Sequence, residues 1–329
     1  MTSELTSPRT DGPDGVGASA AVAAAGPSGE RRATAPGAGR STTGKPARSG
    51  NRRFKPRSVI LGVVGVIVSL IWVFPVYWML NSSLLPNVVL QKTTPTWLPF
   101  GGSFDNFVAV IEGGTFLPAL GMSVVIAVIT VTFCLFFAFF AALAISRFRF
   151  KGRKAFVLAV LLIQMLPAEG LFIAQYKMMG SLNLLNSVVG VSIIYIAAVV
   201  PFTIWMLRGF VAGVPADLEE AGMIDGLSRT QAFMRITFPL LAPGLVASGV
   251  YAFLQAWNEF TVALVLLQNN SDQTLPLWLR GFIQASASRA TDWGQVMAAS
   301  TLVAVPVIIF FLFVQGRMTS GLVSGAVKG

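Results

Sequence analysis

Leu218-Glu219-Glu220-Ala221-Gly222-Met223-Ile224-Asp225-Gly226, followed ten residues later by Ile236-Thr237-Phe238-Pro239, occupies a polar interval between two long apolar runs. A connection that only joins two membrane helices can be far shorter. This one carries start, stop and restart signals. Pro215 suits a first helical turn, where its missing N–H costs nothing. Asp217, Glu219 and Glu220 then place acids at the positive end of the helix dipole. Gly226 is a natural stop because it accepts positive φ. Ser228 can cap a second helix running through Phe233 and Ile236, and Pro239 marks its end or the start of the next span. Residues 215–239 thus read as a helical hairpin held out in water. Leu218, Ala221 and Asp225 share a face at helical spacing, and the small Ala221 and Gly222 let a partner approach closely while the acids offer charge-assisted contacts. The bland alternative is an amphipathic helix lying on lipid headgroups. The acids oppose it, because the inner leaflet is negative.

Composition sets the surroundings of this hairpin. The 329 residues are 54% hydrophobic and 12% charged, with a mean hydropathy of +0.70, outside the soluble range. Six apolar segments each approach the ~20 residues needed to cross ~30 Å of hydrocarbon. They run over Val59–Leu80, Ala119–Ile145, Ala155–Gln175, Ser187–Leu207, Leu241–Leu267 and Ala298–Gln315. Pro167 and Glu169 interrupt the third and suggest a re-entrant or interfacial end, and Pro306 predicts a kink in the sixth. With the N-terminus inside, twenty Lys/Arg fall on the cytoplasmic side, Arg147, Arg149, Lys151, Arg153 and Lys154 among them. The outer pieces hold four: Lys92, Lys177, Arg280 and Arg289. That split predicts N-in, C-in and puts the hairpin in the cytoplasm.

The net charge of +10 sits mostly in a tail, residues 1–57, before an apolar domain spanning 58–329. Of the first 50 residues, 36 are Ala, Gly, Pro, Ser or Thr, a composition that predicts disorder. A basic tail before a span satisfies the positive-inside preference and meets anionic lipid; it does not imply nucleic-acid binding. Gly39-Arg40-Ser41-Thr42-Thr43-Gly44-Lys45 copies most of a P-loop, but Pro46 stands where a magnesium-binding hydroxyl is needed. An ATP site in this chain is therefore not expected. The chain has no histidine and a single cysteine, Cys134, which excludes the usual zinc sites, Ser-His-Asp triads, Cys-His nucleophiles and any intrachain disulfide. No metal site or catalytic residue is expected.

Glu220-Ala221-Gly222, Gly226 and Ile236-Thr237-Phe238-Pro239 resemble the cytoplasmic signature of the transmembrane subunits of bacterial ABC importers. That signature reads Glu-Ala-Ala, three residues, Gly, nine residues, Ile, any residue, Leu-Pro. Gly222 replaces the second Ala, at roughly 1 kcal/mol of helix propensity, and Phe238 replaces Leu. Ala144-Ile145-Ser146-Arg147-Phe148-Arg149-Phe150-Lys151-Gly152-Arg153, Trp257-Asn258-Glu259-Phe260, Thr274-Leu275-Pro276, Asp292-Trp293-Gly294 and the C-terminal Gly325-Ala326-Val327-Lys328-Gly329 are similar to the carbohydrate-uptake branch, in particular its maltose-type second permease. Met122-Ser123 departs from that branch's Asn-Ser.

The resemblance covers about residues 55–329. It implies an all-α, six-span, type I importer fold with a core near 118–315, in a bacterial inner membrane. The implied partners are a second homologous permease, two ATPase subunits that use ATP and magnesium, an extracellular solute-binding protein, and a sugar as substrate. Glu220 becomes the polar anchor to the ATPase; Ala221 and Gly222 permit close packing; Gly226 sets the turn; Asp225, Ile236 and Pro239 complete the coupling hairpin. The C-terminal tail is a second implied ATPase contact.

Trp257, Asn258 and Glu259 form a separate candidate for the pathway or its gate. Glu259 lies about 27 Å into the fifth span, near the outer interface, where a structural or gating role competes with sugar contact. Trp257 reads equally as an interfacial anchor. Trp205, Gln255 and Asn258 have the chemistry of sugar ligands, and nothing in their spacing chooses among them. An ion-coupled transporter predicts ionisable residues at mid-membrane and internal repeats, neither of which is found apart from Glu169. An importer of the same architecture for another solute, such as glycerol phosphate, remains the alternative, while a membrane-embedded enzyme lacks clustered acids.

Overall fold

The computed structural model describes residues 56–326 other than 270, 289 and 290, with side chains from 60 to 316 other than 168 and 169. The basic tail, its P-loop fragment, Glu169, Arg289 and the final Val327-Lys328-Gly329 lie outside the described residues or side chains. The regular structure is helical: α1 (Pro56–Leu84), α2 (Asn87–Leu90), α3 (Asp105–Glu112), α4 (Phe116–Arg147), α5 (Arg153–Ile163), α6 (Phe172–Ser181), α7 (Val188–Gly213), α8 (Asp217–Ile224), α9 (Arg229–Ala232), α10 (Phe238–Asn258), α11 (Thr261–Leu266), α12 (Leu275–Ala287) and α13 (Trp293–Ala326).

Among the described residues, five helices are long and apolar enough to cross a membrane: α1, α4, α7, α10 with the turn preceding it, and α13. The third predicted segment is realised in two pieces. α5 ends at Ile163 after eleven residues, about 16 Å, well short of the hydrocarbon thickness. Pro167 opens a short 3-10 turn, Ala168–Leu171, and α6 resumes at Phe172. Val157 and Val160 of α5 lie against Ile204 and Arg208 of α7. α6 instead packs beside α11, near the opposite end of α7. α13 stays helical through Pro306.

α4, α7 and α10 form the packed centre, and α13 joins through α10 while α1 leans on α13. In lipid, apolar side chains gain little by leaving the solvent, so association depends on close van der Waals contact between small residues. α4 supplies them every fourth position: Thr130, Cys134, Ala138 and Ala142 are all fully buried. Cys134 Sγ lies 3.3 Å from Thr203 Oγ1 of α7, and Thr203 donates in turn to the Val199 carbonyl at 2.9 Å. Gly244 of α10 admits the Phe210 ring, whose Cγ would sit 2.4 Å from any added Cβ.

The outer ends are tied by polar contacts that the apolar pattern does not announce. Ser123 Oγ accepts from Leu275 N at 2.7 Å, joining α4 to the start of α12. Asn186 Oδ1 accepts from Gln268 N at 2.6 Å and Asn269 N at 3.1 Å, while its own N–H donates to Leu266 O at 2.9 Å. Asp292 caps α13 through Gln295 N at 3.1 Å, and Gly294 lets Asn106 and the Leu85 carbonyl approach.

Gly190, in the first turn of α7, has no room for a side chain, because a Cβ would lie 2.1 Å from the Leu184 carbonyl oxygen. Gly190→Ala should destabilise the detergent-solubilised protein by about 1–3 kcal/mol, as overpacking does. Gly62→Ala, inside α1 with nothing within 4 Å, is the control and should hold or slightly raise the melting temperature through its better helix propensity. Equal melting temperatures for the two variants would refute the contact.

Candidate functional site

The polar hairpin forms at the α4–α7–α10 end marked by Arg147. Pro215 lies just before α8, with Ala216 as the flanking residue whose carbonyl accepts from Glu219 N and Glu220 N at 2.9 and 3.2 Å. α8 stops as its sequence predicts. Gly226 has φ +92°, its N–H donates to Met223 O at 3.1 Å, and Leu227 N donates to Gly222 O at 3.0 Å. These two bonds close a Schellman motif. Ser228 then caps α9 in a reciprocal box: its Oγ accepts from Gln231 N at 3.3 Å and its N–H donates to Gln231 Oε1 at 2.9 Å. A π turn, Phe233–Thr237, leads straight into α10, so the predicted second helix and the fifth span are continuous. Pro239 lies in the first turn of α10, exposed and apart from the rest of the hairpin.

One carboxylate ties this hairpin to the bundle. Glu219 Oε1 lies 3.3 Å from Arg147 Nη2 at the end of α4 and accepts from Thr237 Oγ1, in the π turn, at 2.7 Å. Thr237 is buried, and Arg147 and Glu219 are only 18% and 16% exposed. The Arg147–Glu219 contact is an ion pair, not an aligned hydrogen bond. Three elements distant in sequence thus meet at one oxygen. Arg147, read above only as a topology charge, is the cation of this lock.

The predicted coupling residues divide between two faces. Gly222 points inward and is buried, where an added Cβ would lie 2.5 Å from Ile236 Cδ1 and 3.4 Å from Leu227 Cδ1. Its smallness serves packing within the hairpin, against Ile236, and not approach from outside. Ala221, Glu220 and Asp225 are exposed. Ile224, which the sequence reading passed over, is 87% exposed at the tip of α8, with Leu218 and Met223 partly exposed beside it. A groove of about 670 Å³ opens between α4, α8 and α9, with Leu143, Phe148, Glu220, Met223, Arg229 and Phe233 in its lining. Arg229 sits over the Phe148 ring at 5.9 Å. The outer face therefore combines exposed acids, Glu220 and Asp225, with the exposed apolar side chains of Leu218, Met223 and Ile224.

Trp257, Asn258 and Glu259 separate in the structure. Glu259 terminates α10, and its carboxylate is committed to protein donors: Val262 N at 2.7 Å, Ala263 N at 3.1 Å and Tyr195 Oη at 2.6 Å. It caps α11 at the positive end of that helix and fastens α7 to the break after α10. Trp257 is 3% exposed and stacks on Phe253 with ring centroids 5.3 Å apart, so it packs in the core and is not an interfacial anchor. Asn258 is exposed, and its Nδ2 donates to Leu254 O at 2.8 Å.

A family model described as binding-protein-dependent transport system inner membrane component matches residues 134–322. The diacetylchitobiose uptake system permease protein DasC of Streptomyces coelicolor is 41% identical over 267 residues, covering 81% of this chain and 96% of that protein. The trehalose transport system permease protein SugB of Mycobacterium tuberculosis is 32% identical over 273 residues, covering 83% and 98%. Among solved structures, a bacterial ABC transporter involved in the import of the acidic polysaccharide alginate has a similar fold. It aligns with a TM-score of 0.68 at 23% identity, over 79% of this chain and 96% of that one.

Removing the Glu219 carboxylate leaves Arg147 facing an empty, largely buried position. Glu219→Ala should loosen the hairpin by about 1–3 kcal/mol, and amide exchange across residues 217–226 should quicken by roughly tenfold or more. Glu219→Gln, which keeps the Thr237 bond, should fall between the two. Unchanged exchange in Glu219→Ala would show that the lock does not hold the hairpin.

Proposed function

The chain belongs to the family of inner membrane components of binding-protein-dependent transport systems, and we propose that it forms half of the translocation pathway of an ATP-driven saccharide importer. It is a multi-pass permease subunit with the transmembrane fold of an ABC importer, and not itself a catalyst. The substrate class is supported by relatives named for sugars, namely a diacetylchitobiose permease at 41% identity and a trehalose permease at 32%.

In this reading the permease domain is 58–329, with 1–57 a basic cytoplasmic tail, in a bacterial cell membrane. A second homologous permease completes the pathway. Two ATPase subunits bind ATP and magnesium, and an extracellular binding protein delivers the saccharide. The observation that carries the coupling role is the hairpin's two-sidedness: its inner side is fixed to α4 and α10 through Glu219, while its outer side presents Glu220, Ala221 and Ile224 to water. A short helix held this way moves as a rigid peg. Ile224 supplies the apolar tip, Glu220 a charge for a basic group, and Gly226 the sharp turn behind them. Closure of the ATPases would press on α8, and the Glu219–Arg147–Thr237 contact would pass that displacement to α4 and α10 together.

Glu220 is exposed and takes no part in the internal lock, so its substitution tests docking without disturbing the fold. Glu220→Lys should insert normally in the membrane, release the ATPase subunit on purification and abolish uptake. If that variant co-purifies the ATPase and transports normally, the coupling assignment fails.

A further inference from the structure

The turn between α4 and α5 carries more positive charge than the fold uses. Arg147, Arg149, Lys151, Arg153 and Lys154 fall within eight residues. Arg147 is committed to Glu219, whereas the other four have no ion pair or side-chain hydrogen bond among the described residues. The described acids at this end of the bundle, Asp217, Glu219, Glu220 and Asp225, all belong to the hairpin. Arg153 and Lys154 also stand in the first turn of α5, where acids are favoured and none is present. Cations at that end oppose the helix dipole, so the turn is left wanting an anion from outside the chain.

The surroundings say what kind of anion fits. Gly152 turns the chain with φ +91°, and Phe156 N donates to Gly152 O at 2.9 Å. An open groove of about 680 Å³ runs over Arg149, Phe150, Lys151, Arg153 and Lys154. Below it, Lys154, Leu158 and Leu162 recur every fourth residue on one face of α5. Leu158 and Leu162 are 60% and 62% exposed, so over about 12 Å this face passes from a cation to an uncovered apolar stripe. Phe148, Phe150 and Phe156 are exposed beside it. On the other side of α5, Arg208 of α7 lies against Val157 and Val160 and has no acidic partner among the described residues. A soluble acidic partner would meet the cations and leave the stripe bare. An occupant with a phosphate and a hydrocarbon chain meets both.

We propose that the α4–α5 turn binds an anionic phospholipid of the inner leaflet. Lys151, Arg153 and Lys154 hold its phosphate, and an acyl chain lies along Leu158 and Leu162. The inner leaflet is negative, and each cation near its surface adds to the attraction. The exposed phenylalanine rings suit the boundary between headgroups and acyl chains. A topology signal alone needs only the sum of charge on this side, in any arrangement. It does not require cations set above an apolar stripe. A headgroup at the start of α5 would also fix the depth of a helix too short to span the membrane. The proposal depends on this end being cytoplasmic, and not on the saccharide reading.

Native mass spectrometry of the delipidated, intact importer, titrated with phosphatidylglycerol or with phosphatidylcholine of the same chains, tests it. The wild type should hold phosphatidylglycerol roughly tenfold more tightly than phosphatidylcholine. Arg153→Gln/Lys154→Gln should remove most of that preference, while Arg235→Gln, at an exposed cation of the hairpin, should keep it. Leu158→Ser/Leu162→Ser, which preserves every charge and hence the topology, should weaken phosphatidylglycerol by about fivefold or more. Equal retention of the two lipids by the wild type, or an undiminished preference in Arg153→Gln/Lys154→Gln, would overturn the site. Should that variant fail to assemble, the leucine variant decides, and an unchanged affinity there refutes the acyl contact. Displacement of the lipid by glycerol phosphate would make this a site for free phosphate, against the proposal. Loss of the ATPase or of the second permease from Arg153→Gln/Lys154→Gln, with the lipid preference intact, would assign the cations to that subunit and overturn it as well.

Discussion

One carboxylate oxygen on Glu219 is the polar tie between the hairpin and the membrane bundle, beside the packing of Phe139 on Phe233 and Phe238. It meets Arg147 at the end of α4 and Thr237 at the approach to α10, so the three elements cannot shift independently without stranding a charge. A mostly buried cation that loses its partner is costly, whereas a surface pair would be worth little. The π turn contributes as well. Its wider winding places buried Thr237 against α8 without interrupting the run into α10. Such single-turn widenings occur disproportionately at functional positions. Gly222 and Ile236 close the other side of the same joint, one side chain occupying the space left by the absence of the other. Both halves of the hairpin are stitched inward, which leaves Glu220, Ala221 and Ile224 exposed on its outer surface.

The bundle solves a different problem. Within lipid the hydrophobic effect gives little preference for one helix pairing over another, so specificity comes from fit and from scarce polar contacts. Fit is supplied by the small stripe on α4 and by Gly244, which receives Phe210. Polar specificity is concentrated at the outer ends. Ser123 reaches the start of α12, Asn186 reaches the end of α11, and Glu259 gathers two backbone donors and Tyr195. Each contact fastens a chain break that would otherwise leave backbone groups unpaired at the edge of the hydrocarbon.

Local signals were legible in the sequence, and contacts across the chain were not. Gly226 and Ser228 announce their caps because capping depends on the residue and its nearest neighbours. Charge asymmetry orients the spans for the same reason: it is a sum, not a geometry. The partner of Glu219 could not be read, since Arg147 lies far away in a basic run that topology alone explains. Gly222 reads from sequence as room for a partner, whereas the structure turns it inward against Ile236, because helical spacing does not say which face of an eight-residue helix is covered. Trp257 reads from sequence as part of a gate or equally as an interfacial anchor, since aromatic residues near span ends are usually wet; the structure buries it, because α10 ends inside the packed outer cluster. The third segment shows its break through Pro167, but only the structure shows α5 packing on α7 while α6 packs on α11.

The distribution of prolines bears on how a bundle pinned at both ends can still move. Pro201 adjoins Phe202 in α7, Pro167 follows Gln164 at the α5 break, and Pro243 lies in the inner half of α10. Each removes a backbone donor and weakens the helix at that depth. Pro201 leaves the carbonyl of Ala197 without its i+4 donor, on an exposed turn of α7. The ends of these helices are tied by charge and caps, so the interruptions at Pro201 and Pro243, at different depths, leave each helix able to bend between its ties.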